Sequence, residues 1–385
     1  MKKILPLLLL LATLFSCSEK YNADGSFTIN GTAENADGKT LYLVTIKDFE
    51  ATAVDSATIS DGKFTFDGKL DAAVESRLLT DSYPLNIMQE QNGASLYLEP
   101  TTMTLTISDI TKLADATLTG SATQAEVDDY IKAVEEFQKP MMELNKKFYE
   151  VRAAGDTTAL AEIEKQMAEI TPKYQAAEKA WFDAHPQSYF TFQQKSFMMG
   201  NMSLESVDSL FSAMPEKFKG TEVYNSIETE LNTLKAVAPG AQAPEFSATD
   251  MNGEKMSLSQ FKGHYVILDF WATWCVPCRA SMPHVKALYD KYKDKGLEVV
   301  CVSDDDGNEA KWKEAVEKDQ TGLFHHVLRG LKRTANGGFD KSTDISEKYA
   351  IHYLPTKFLI DPDGKIVNKV DDEQLEAELK KAYGF

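Results

Sequence analysis

The stretch Phe270–Arg279 reads FWATWCVPCR and contains two cysteines, Cys275 and Cys278, separated by two residues. The apolar run just before it, Tyr265 to Phe270 (YVILDF), is typical of a buried strand. The residues after it, from Ser281 to Lys295, have the pattern of a helix. The two cysteines therefore fall where a buried strand gives way to a helix. A pair in this position could bind a metal, form a structural disulfide or act as a reversible redox couple.

The first turn of a helix is a favourable place for a reactive cysteine. Free N–H groups and a partial positive charge at the helix N-terminus stabilise a thiolate, which is the nucleophile in disulfide exchange. Cys275 precedes the helix, so we predict that it is the exposed nucleophile. Cys278 lies one turn further on, and we predict that it is the shielded resolving thiol. Pro277 suits an early helical position, because the N–H that it lacks would have no partner there.

Asp269 is a charged residue in the middle of the apolar strand. Burying an unpaired carboxylate is costly, and burial favours its neutral form. We therefore predict a raised pKa for Asp269 and a role as proton acceptor for Cys278 during exchange. The alternative is that Asp269 is partly exposed and only caps a neighbouring segment.

Length and charge limit the classes of protein to consider. The chain has 385 residues, enough for two or three domains. Its 59 acidic residues exceed its 41 basic ones, which gives a formal net charge of -18. Binding of nucleic acid depends on clustered Lys and Arg, so we expect no nucleic-acid partner.

The first residues have the pattern of an export signal. A basic start is followed by the apolar run Ile4–Phe15, which is too short to span a bilayer. The run ends at Ser16-Cys17 and resembles a bacterial lipoprotein signal, which implies that Cys17 carries the lipid. Phe15 is bulkier than the small residue usual there, and the alternative is an ordinary cleaved signal. Ser18, in place of the Asp that signals inner-membrane retention, favours an outer-membrane anchor that faces the periplasm.

The cysteine count agrees with a redox site in an exported protein. With Cys17 used for lipid, the pair Cys275 and Cys278 and the single Cys301 remain. Three thiols are too few for a disulfide scaffold in an oxidising compartment. Cys301 lies in the apolar run LEVVCV, and we predict that it is a buried, inert thiol.

Changes in residue pattern divide the chain into five segments. The N-terminal part alternates like short strands, and it includes a predicted hairpin with its turn at Asp61-Gly62. A helical period begins near Ser121, and an Ala-, Pro- and Gly-rich linker precedes an alternation of strands and helices. We predict a signal peptide (1–17), a tether (18–25), a small antiparallel β domain (26–121), a helical region (122–236) and an α/β domain with a central mixed sheet flanked by helices (237–385).

The motif FWATWCVPCR, with Asp269 before it and Leu354-Pro355-Thr356 downstream, resembles the thioredoxin superfamily. The flanking segments are similar to the TlpA/ResA-like exported disulfide reductases, over residues 238–385. This resemblance implies a thioredoxin-like fold, attack by Cys275 on a substrate disulfide, resolution by Cys278, and a cis peptide bond before Pro355. Residues 26–120 resemble a small β domain of unassigned function that precedes such modules.

The residues that surround the two thiols are the expected contacts of a substrate polypeptide. A cis bond before Pro355 would let the backbone of Leu354 lie beside the dithiol and pair with a substrate strand. The tryptophans around the pair, Trp271 and Trp274, favour a protein-docking surface. We assign substrate binding to Trp274, Val276, Pro277, Leu354 and Pro355.

Three positions depart from the patterns of these families. Ser281 stands where many ResA-like proteins have Glu, and Val276 stands where Gly is common. The strand LEVVCV lacks the lysine that thioredoxin places near its buried aspartate. These residues influence the thiol pKa values, so the sequence leaves the redox potential and the substrate class open.

Three other functions compete with this interpretation. A copper chaperone would need more ligands than one CxxC supplies, although His284 and the pair His325-His326 could approach. A thiol peroxidase would have Pro and Thr where this chain has Leu268 and Ala272. A non-enzymatic scaffold is disfavoured by the intact CVPC.

The sequence thus predicts a lipid-anchored, periplasmic thiol–disulfide oxidoreductase that reduces protein disulfides. The redox-active disulfide is its only expected cofactor, and no metal is expected. The expected partners are client proteins that bear disulfides and a membrane electron donor for re-reduction, because the compartment is oxidising. The lipid anchor supplies the membrane contact.

Overall fold

The structure is a computed structural model, and it describes residues 21–47, 50–80, 93–334 and 338–384. Cys17 and the predicted signal lie outside these residues. The chain forms two compact units, one of residues up to 45 and from 53 to 132, the other of the remaining residues. Among the described residues, no helix is both long and apolar enough to cross a membrane.

In the described residues, the N-terminal part of the chain forms eight strands in two four-stranded sheets. The strands are β1 Ser26–Ala33, β2 Thr40–Lys47, β3 Glu50–Thr58, β4 Lys63–Lys69, β5 Val74–Leu79, β6 Gly93–Leu98, β7 Thr102–Ile107 and β8 Thr117–Thr119. One sheet has the order β4-β1-β7-β8 and the other the order β3-β2-β5-β6. Pairing is antiparallel where a register is described, except that β1 and β7 run parallel. The N-terminal β region is therefore present, with one parallel pair that the sequence did not predict.

The predicted hairpin around Asp61-Gly62 is wrong in its strand pairing. The turn itself forms, with positive φ at both residues and backbone hydrogen bonds between Ser60 and Lys63. However, β3 and β4 belong to different sheets, and β4 pairs with β1 over seven residues. A tight turn fixes only the local change of direction, whereas the sheet partner depends on distant strands.

The centre of the first unit is filled by alternate residues of its strands. Phe27 and Ile29 of β1 and Phe66 of β4 are almost completely buried. Gly31 lies under the ring of Phe64, and a Cβ there would come within 2.1 Å of the ring. Glycine is thus required at position 31 by the close approach of an aromatic side chain.

Five helices follow the strands: α1 Ala122–Ala154, α2 Thr157–Ala184, α3 Tyr189–Phe197, α4 Leu204–Ser212 and α5 Glu222–Ala236. Glu99 accepts hydrogen bonds from the backbone N–H groups of Ala122 and Thr123. A carboxylate distant in sequence thus supplies acceptors for N–H groups that have no partner within α1. Pro140 lies inside α1, and the helix continues on both sides of it.

The last part of the chain builds a five-stranded sheet with helices on it. Its strands and helices are β9 Ser247–Thr249, β10 Lys255–Ser257, β11 Tyr265–Trp271, α6 Val276–Tyr292, β12 Leu297–Ser303, α7 Glu309–Lys318, β13 His325–Leu328, β14 Lys332–Arg333, β15 Phe339–Asp340, α8 Ile345–Lys348, β16 Thr356–Ile360, β17 Ile366–Val370 and α9 Asp372–Tyr383. The sheet order is β13-β12-β11-β16-β17. β11 is parallel to β12 and antiparallel to β16, so the sheet is mixed.

The two faces of this sheet pack on two separate apolar clusters. Ile267 and Trp271 of β11 belong to one cluster, together with residues of α6 and α9. Leu268 and Phe270 belong to the cluster on the opposite face. Because side chains alternate along a strand, Asp269 shares the face of Ile267 and Trp271. The predicted thioredoxin-like fold is confirmed, and its central strand leads directly into the cysteine pair.

Candidate active site

Cys275 and Cys278 are joined by a disulfide at the start of α6, with their Cα atoms 5.3 Å apart. Cys275 is the N-cap residue of the helix, and its Sγ accepts a hydrogen bond of 3.2 Å from the backbone N–H of Cys278. Cys275 is 5% exposed and Cys278 is 1% exposed. The prediction of an exposed Cys275 is therefore wrong for this oxidised state, because its side chain packs in the same apolar cluster as Cys278.

The residues beside the disulfide are exposed and apolar. Trp274 is 65% exposed and Val276 is 77% exposed, on either side of the buried Cys275. The peptide bond between Leu354 and Pro355 is cis, as the resemblance implies. Pro277, in the first turn of α6, and Pro355 both line an open cavity of about 500 Å³. The structure thus brings Pro277 and Pro355 together and presents Trp274 and Val276 to solvent.

Asp269 is buried as expected, with 1% of its surface exposed. Neither of its carboxylate oxygens accepts a hydrogen bond from any described residue. Burial raises the pKa of Asp269 to about 7, the charge of Lys357 lowers it, and the nearby Asp372 raises it. A carboxylate with this pKa can take up and release a proton near neutral pH.

Lys357 is a functional candidate that the sequence reasoning missed. It lies in β16, directly opposite Asp269 in the antiparallel register, and it is 3% exposed. Its Nζ is 4.0 Å from Asp269 Oδ1. The strand LEVVCV lacks a lysine, as stated above, and β16 brings one to the buried aspartate instead. The only sequence signal was a lysine within the otherwise apolar run TKFLI.

The loop that carries Cys275 is held in place by a second missed residue, Asp305. Its carboxylate accepts hydrogen bonds from the backbone N–H (2.8 Å) and the hydroxyl (2.6 Å) of Thr273, and from the hydroxyl of Ser303. One residue after Cys278, Arg279 forms a two-pronged ion pair with Asp319, at 2.6 and 2.7 Å. These contacts fix both sides of the disulfide against the ends of β12 and α7.

Cys301 is completely buried and outside any disulfide, so its predicted burial is confirmed. Burial raises the pKa of the Cys301 thiol well above its usual value, and the charge of Asp269 adds to this effect. A thiol with a raised pKa in the core is a poor nucleophile.

The histidines that could have completed a metal site have separate partners. His284 contacts the backbone oxygen of Asp372, His325 contacts Glu298, and His326 contacts the backbone oxygen of Thr321. In the ranges that the structure describes, no group of three or more His, Cys, Asp or Glu side chains is arranged to hold a metal ion.

Two family models match separate parts of the chain. Residues 239–369 match the AhpC/TSA family, and residues 27–127 match a domain of unknown function, DUF4369. The chain is 37% identical over 143 residues to the thiol–disulfide oxidoreductase ResA of Bacillus thuringiensis, and this match covers 37% of the chain and 75% of that relative. ResA of Bacillus subtilis is 31% identical over 160 residues, which cover 42% of the chain and 80% of that protein.

Solved structures of similar proteins cover the same share of the chain. The thioredoxin domain of a thiol–disulfide oxidoreductase from Bacteroides vulgatus has 36% identity and a TM-score of 0.33, covering 37% of this chain and 96% of that one. A thiol–disulfide oxidoreductase from Bacteroides fragilis has 32% identity and a TM-score of 0.31, and the match covers 37% of this chain and 98% of that one.

The raised pKa of Asp269 generates a prediction about stability. Since the folded protein holds a proton on Asp269 between pH 3.8 and about 7 and the unfolded chain does not, stability falls as pH rises through this window. The loss amounts to about 1.4 kcal/mol per pH unit at most. Asp269→Asn removes this dependence. We therefore expect the free energy of unfolding of the oxidised variant, relative to that of the wild type, to increase as the pH rises from 5 to 7.

The measurement is denaturant unfolding of the oxidised full chain, followed by tryptophan fluorescence at a series of pH values. Asp363→Asn, which changes an exposed aspartate in a turn, is the matched control and should follow the wild type. Parallel pH profiles for Asp269→Asn and the wild type would contradict the prediction.

Proposed function

This chain belongs to the ResA-like family of thiol–disulfide oxidoreductases, and we propose that it reduces disulfide bonds in exported client proteins through the Cys275–Cys278 couple. The observation that carries the proposal is the disulfide itself, which caps a helix between exposed apolar residues. A sulfur at a helix N-terminus is chemically poised for exchange, and the exposed residues offer a docking surface.

In the proposed reaction, the reduced protein transfers two electrons to the client. The thiolate of Cys275 attacks one sulfur of the client disulfide, a bond forms between them, and the other client sulfur leaves as a thiolate. Cys278 then gives its proton to Asp269 and attacks Cys275 Sγ. The Cys275–Cys278 disulfide forms, and the client sulfur that was bonded to Cys275 leaves as a thiolate. This thiolate takes a proton from solvent.

Two features support the assignment of Cys275 as the attacking sulfur. The N–H of Cys278 points at Cys275 Sγ, and the same hydrogen bond would stabilise a thiolate there. Both sulfurs are buried in this oxidised state, but Cys275 lies between the exposed Trp274 and Val276, where a client could reach it, and Cys278 lies further along α6. We assign client binding to Trp274, Val276, Pro277, Leu354 and Pro355.

The proposed direction requires a source of electrons. An oxidising compartment would leave Cys275–Cys278 as a disulfide unless a partner reduced it, so we propose re-reduction by a membrane electron-transfer protein. We also propose that Cys17 carries a lipid that anchors the chain to the outer membrane on its periplasmic face. The short apolar run before Cys17 supports export, and Ser18 supports the outer membrane.

Replacement of the resolving thiol tests the division of roles between the two cysteines. Cys278→Ser leaves the attacking thiol intact but blocks resolution, so we expect a mixed disulfide to accumulate with a disulfide-bearing protein substrate. Cys275→Ser should form no such adduct, and Cys301→Ser should turn over like the wild type. Non-reducing electrophoresis and mass spectrometry of the adduct are the measurements. Accumulation of the adduct on Cys278 in the Cys275→Ser variant would reverse the assignment.

The reduction potential of the couple tests the proposed direction. For a reductase we expect a value more negative than about −200 mV, while strong oxidants lie near −120 mV. Equilibration of the full chain with glutathione or dithiothreitol buffers gives this value. A potential near that of the strong oxidants would overturn the reductase proposal while leaving the exchange chemistry intact.

The lipid anchor is tested by Cys17→Ala in the expressing bacterium. We expect the wild type to partition with membranes and detergent, because covalent lipid adds buried hydrocarbon, and the variant to lose this behaviour. Cys301→Ala is the control and should partition like the wild type. An N-terminal peptide that begins at Cys17 without lipid, identified by mass spectrometry, would contradict the anchor.

A further inference from the structure

The loop that leads to the cis bond before Pro355 is contacted by the helices that precede the α/β domain. His352 Nε2 lies 2.9 Å from Glu230 Oε1 of α5, and the two groups are hydrogen-bonded. Gly200, in the turn between α3 and α4, lies against the same imidazole, since a Cβ at position 200 would come within 2.8 Å of the His352 side chain. The helical region and the loop before Pro355 are thus in direct contact.

A cavity of about 610 Å³, which we call the α5 cavity, lies at this contact. The α/β domain contributes Glu347 and His352 to its lining, and Phe197 contributes from the end of α3. The lining residues from α5 recur three or four positions apart, which places them on one face of the helix: Glu222, Asn225, Ser226, Thr229 and Glu230. The opposite face of α5 carries the buried apolar residues Val223, Ile227 and Leu231. The helix therefore packs with its apolar face and turns its polar face to the cavity.

The α5 cavity and the cavity lined by Pro277 and Pro355 adjoin the same short loop. His352 lines the first, whereas Tyr353 and Pro355 line the second. Residues 352 and 355 are three positions apart, so their Cα atoms are separated by at most about 11 Å. Tyr353, between them, is 49% exposed. A client polypeptide held beside Pro355 would therefore need only about three further residues to reach the α5 cavity.

The charges that line the α5 cavity favour a positively charged occupant. Two of its three carboxylates are in ion pairs, Glu230 with His352 and Glu347 with Lys341. Glu222, in the first turn of α5, has no ion-pair partner in the part of the chain that the structure describes. A cation that enters the cavity would therefore meet an acid that no other side chain neutralises.

We propose that the α5 cavity binds a basic side chain of the client, about three to four residues from the part of the client that lies beside Pro355. The proposal rests on the proposed reduction of client disulfides and names the kind of client. Glu222 attracts the basic side chain, and Phe197, which is 75% exposed, offers its ring to the same cation. The α3 and α5 walls lie outside residues 239–369, which match the AhpC/TSA family, so this binding site is an addition to the redox domain.

Two probe peptides test the preference for a basic client. Each carries one cysteine in a disulfide with thionitrobenzoate, flanked on both sides by lysines in one peptide and by glutamates in the other. The reduced full chain attacks the peptide sulfur, and thionitrobenzoate leaves as a coloured thiolate whose release gives the rate constant. We expect Glu222→Lys to lower the ratio of the lysine-peptide rate to the glutamate-peptide rate by about threefold or more, because it reverses one exposed charge.

Glu205→Lys is the matched control for charge. It makes the same change on an exposed glutamate in the first turn of another helix, α4, and this residue does not line the α5 cavity. Its ratio of rates should stay near that of the wild type. Equal ratios in Glu222→Lys and Glu205→Lys would overturn the proposal, since the net charge of the chain would then explain any preference.

Filling the cavity tests its role without a change of charge. Ser226→Trp places a large side chain on the exposed polar face of α5, so we expect both peptides to react about threefold or more slowly. Asn232→Trp, at an exposed position of the same helix outside the cavity, should keep the wild-type rates. Peptide rates that do not fall in Ser226→Trp would contradict a client-binding role of the cavity.

The mixed disulfide of glutathione and thionitrobenzoate separates this proposal from the reaction on which it rests. It has the same leaving group as the peptides but only one residue on either side of its cysteine, so it is too short to reach the α5 cavity from Pro355. Peptide rates are therefore expressed relative to its rate. If the wild type releases no thionitrobenzoate from it, the proposed exchange reaction and the client-binding role both fall. If it reacts, but the peptide rates do not depend on Glu222 or Ser226, only the client-binding role of the helical region is overturned.

Discussion

A carboxylate and an ammonium group share one buried face of the central sheet, and the redox site is organised around this pair. Asp269 and Lys357 are register partners in adjacent antiparallel strands. Each charge would be costly alone in an apolar environment, and their mutual attraction offsets part of that cost. Lys357 Nζ lies 4.0 Å from Asp269 Oδ1, and the two groups share no hydrogen bond. The attraction is therefore weaker than the effect of burial, and the pKa of Asp269 stays raised.

The strands, helices and catalytic pair of the C-terminal sheet could be predicted because their signals are local. The apolar run YVILDF, the CVPC motif and the helical period after it lie next to one another in sequence, and the structure keeps them in that order. The burial of Asp269 followed from its apolar neighbours in the same strand. Lys357 and Asp305 could not be found in this way, because their contacts are not local. Lys357 lies 88 positions after Asp269, which it meets through strand register, and Asp305 lies 32 positions after Thr273, which it meets through a loop contact.

The same limit explains the errors in the N-terminal part. The Asp61-Gly62 turn is encoded by two residues that tolerate positive φ, and it forms as predicted. Which strand β4 pairs with is decided by β1, about 30 residues earlier, and no local pattern carries that information. Pro140 shows that a local signal can also be overridden. Proline usually interrupts a helix, but α1 continues through Pro140 because the helical pattern continues on both sides of it.

One departure from the ResA-like pattern, Ser281, contacts the buried Lys357. Ser281, where many members have Glu, accepts a hydrogen bond from Lys357, and Lys357 is the residue that brings a positive charge to the buried aspartate. A glutamate at position 281 would add a negative charge beside Asp269 and so favour its protonated form. Serine and lysine together favour the ionised form. Positions 281 and 357 are therefore best understood together, because a neutral side chain at 281 leaves Asp372 and Asp269 as the acids that face the lysine.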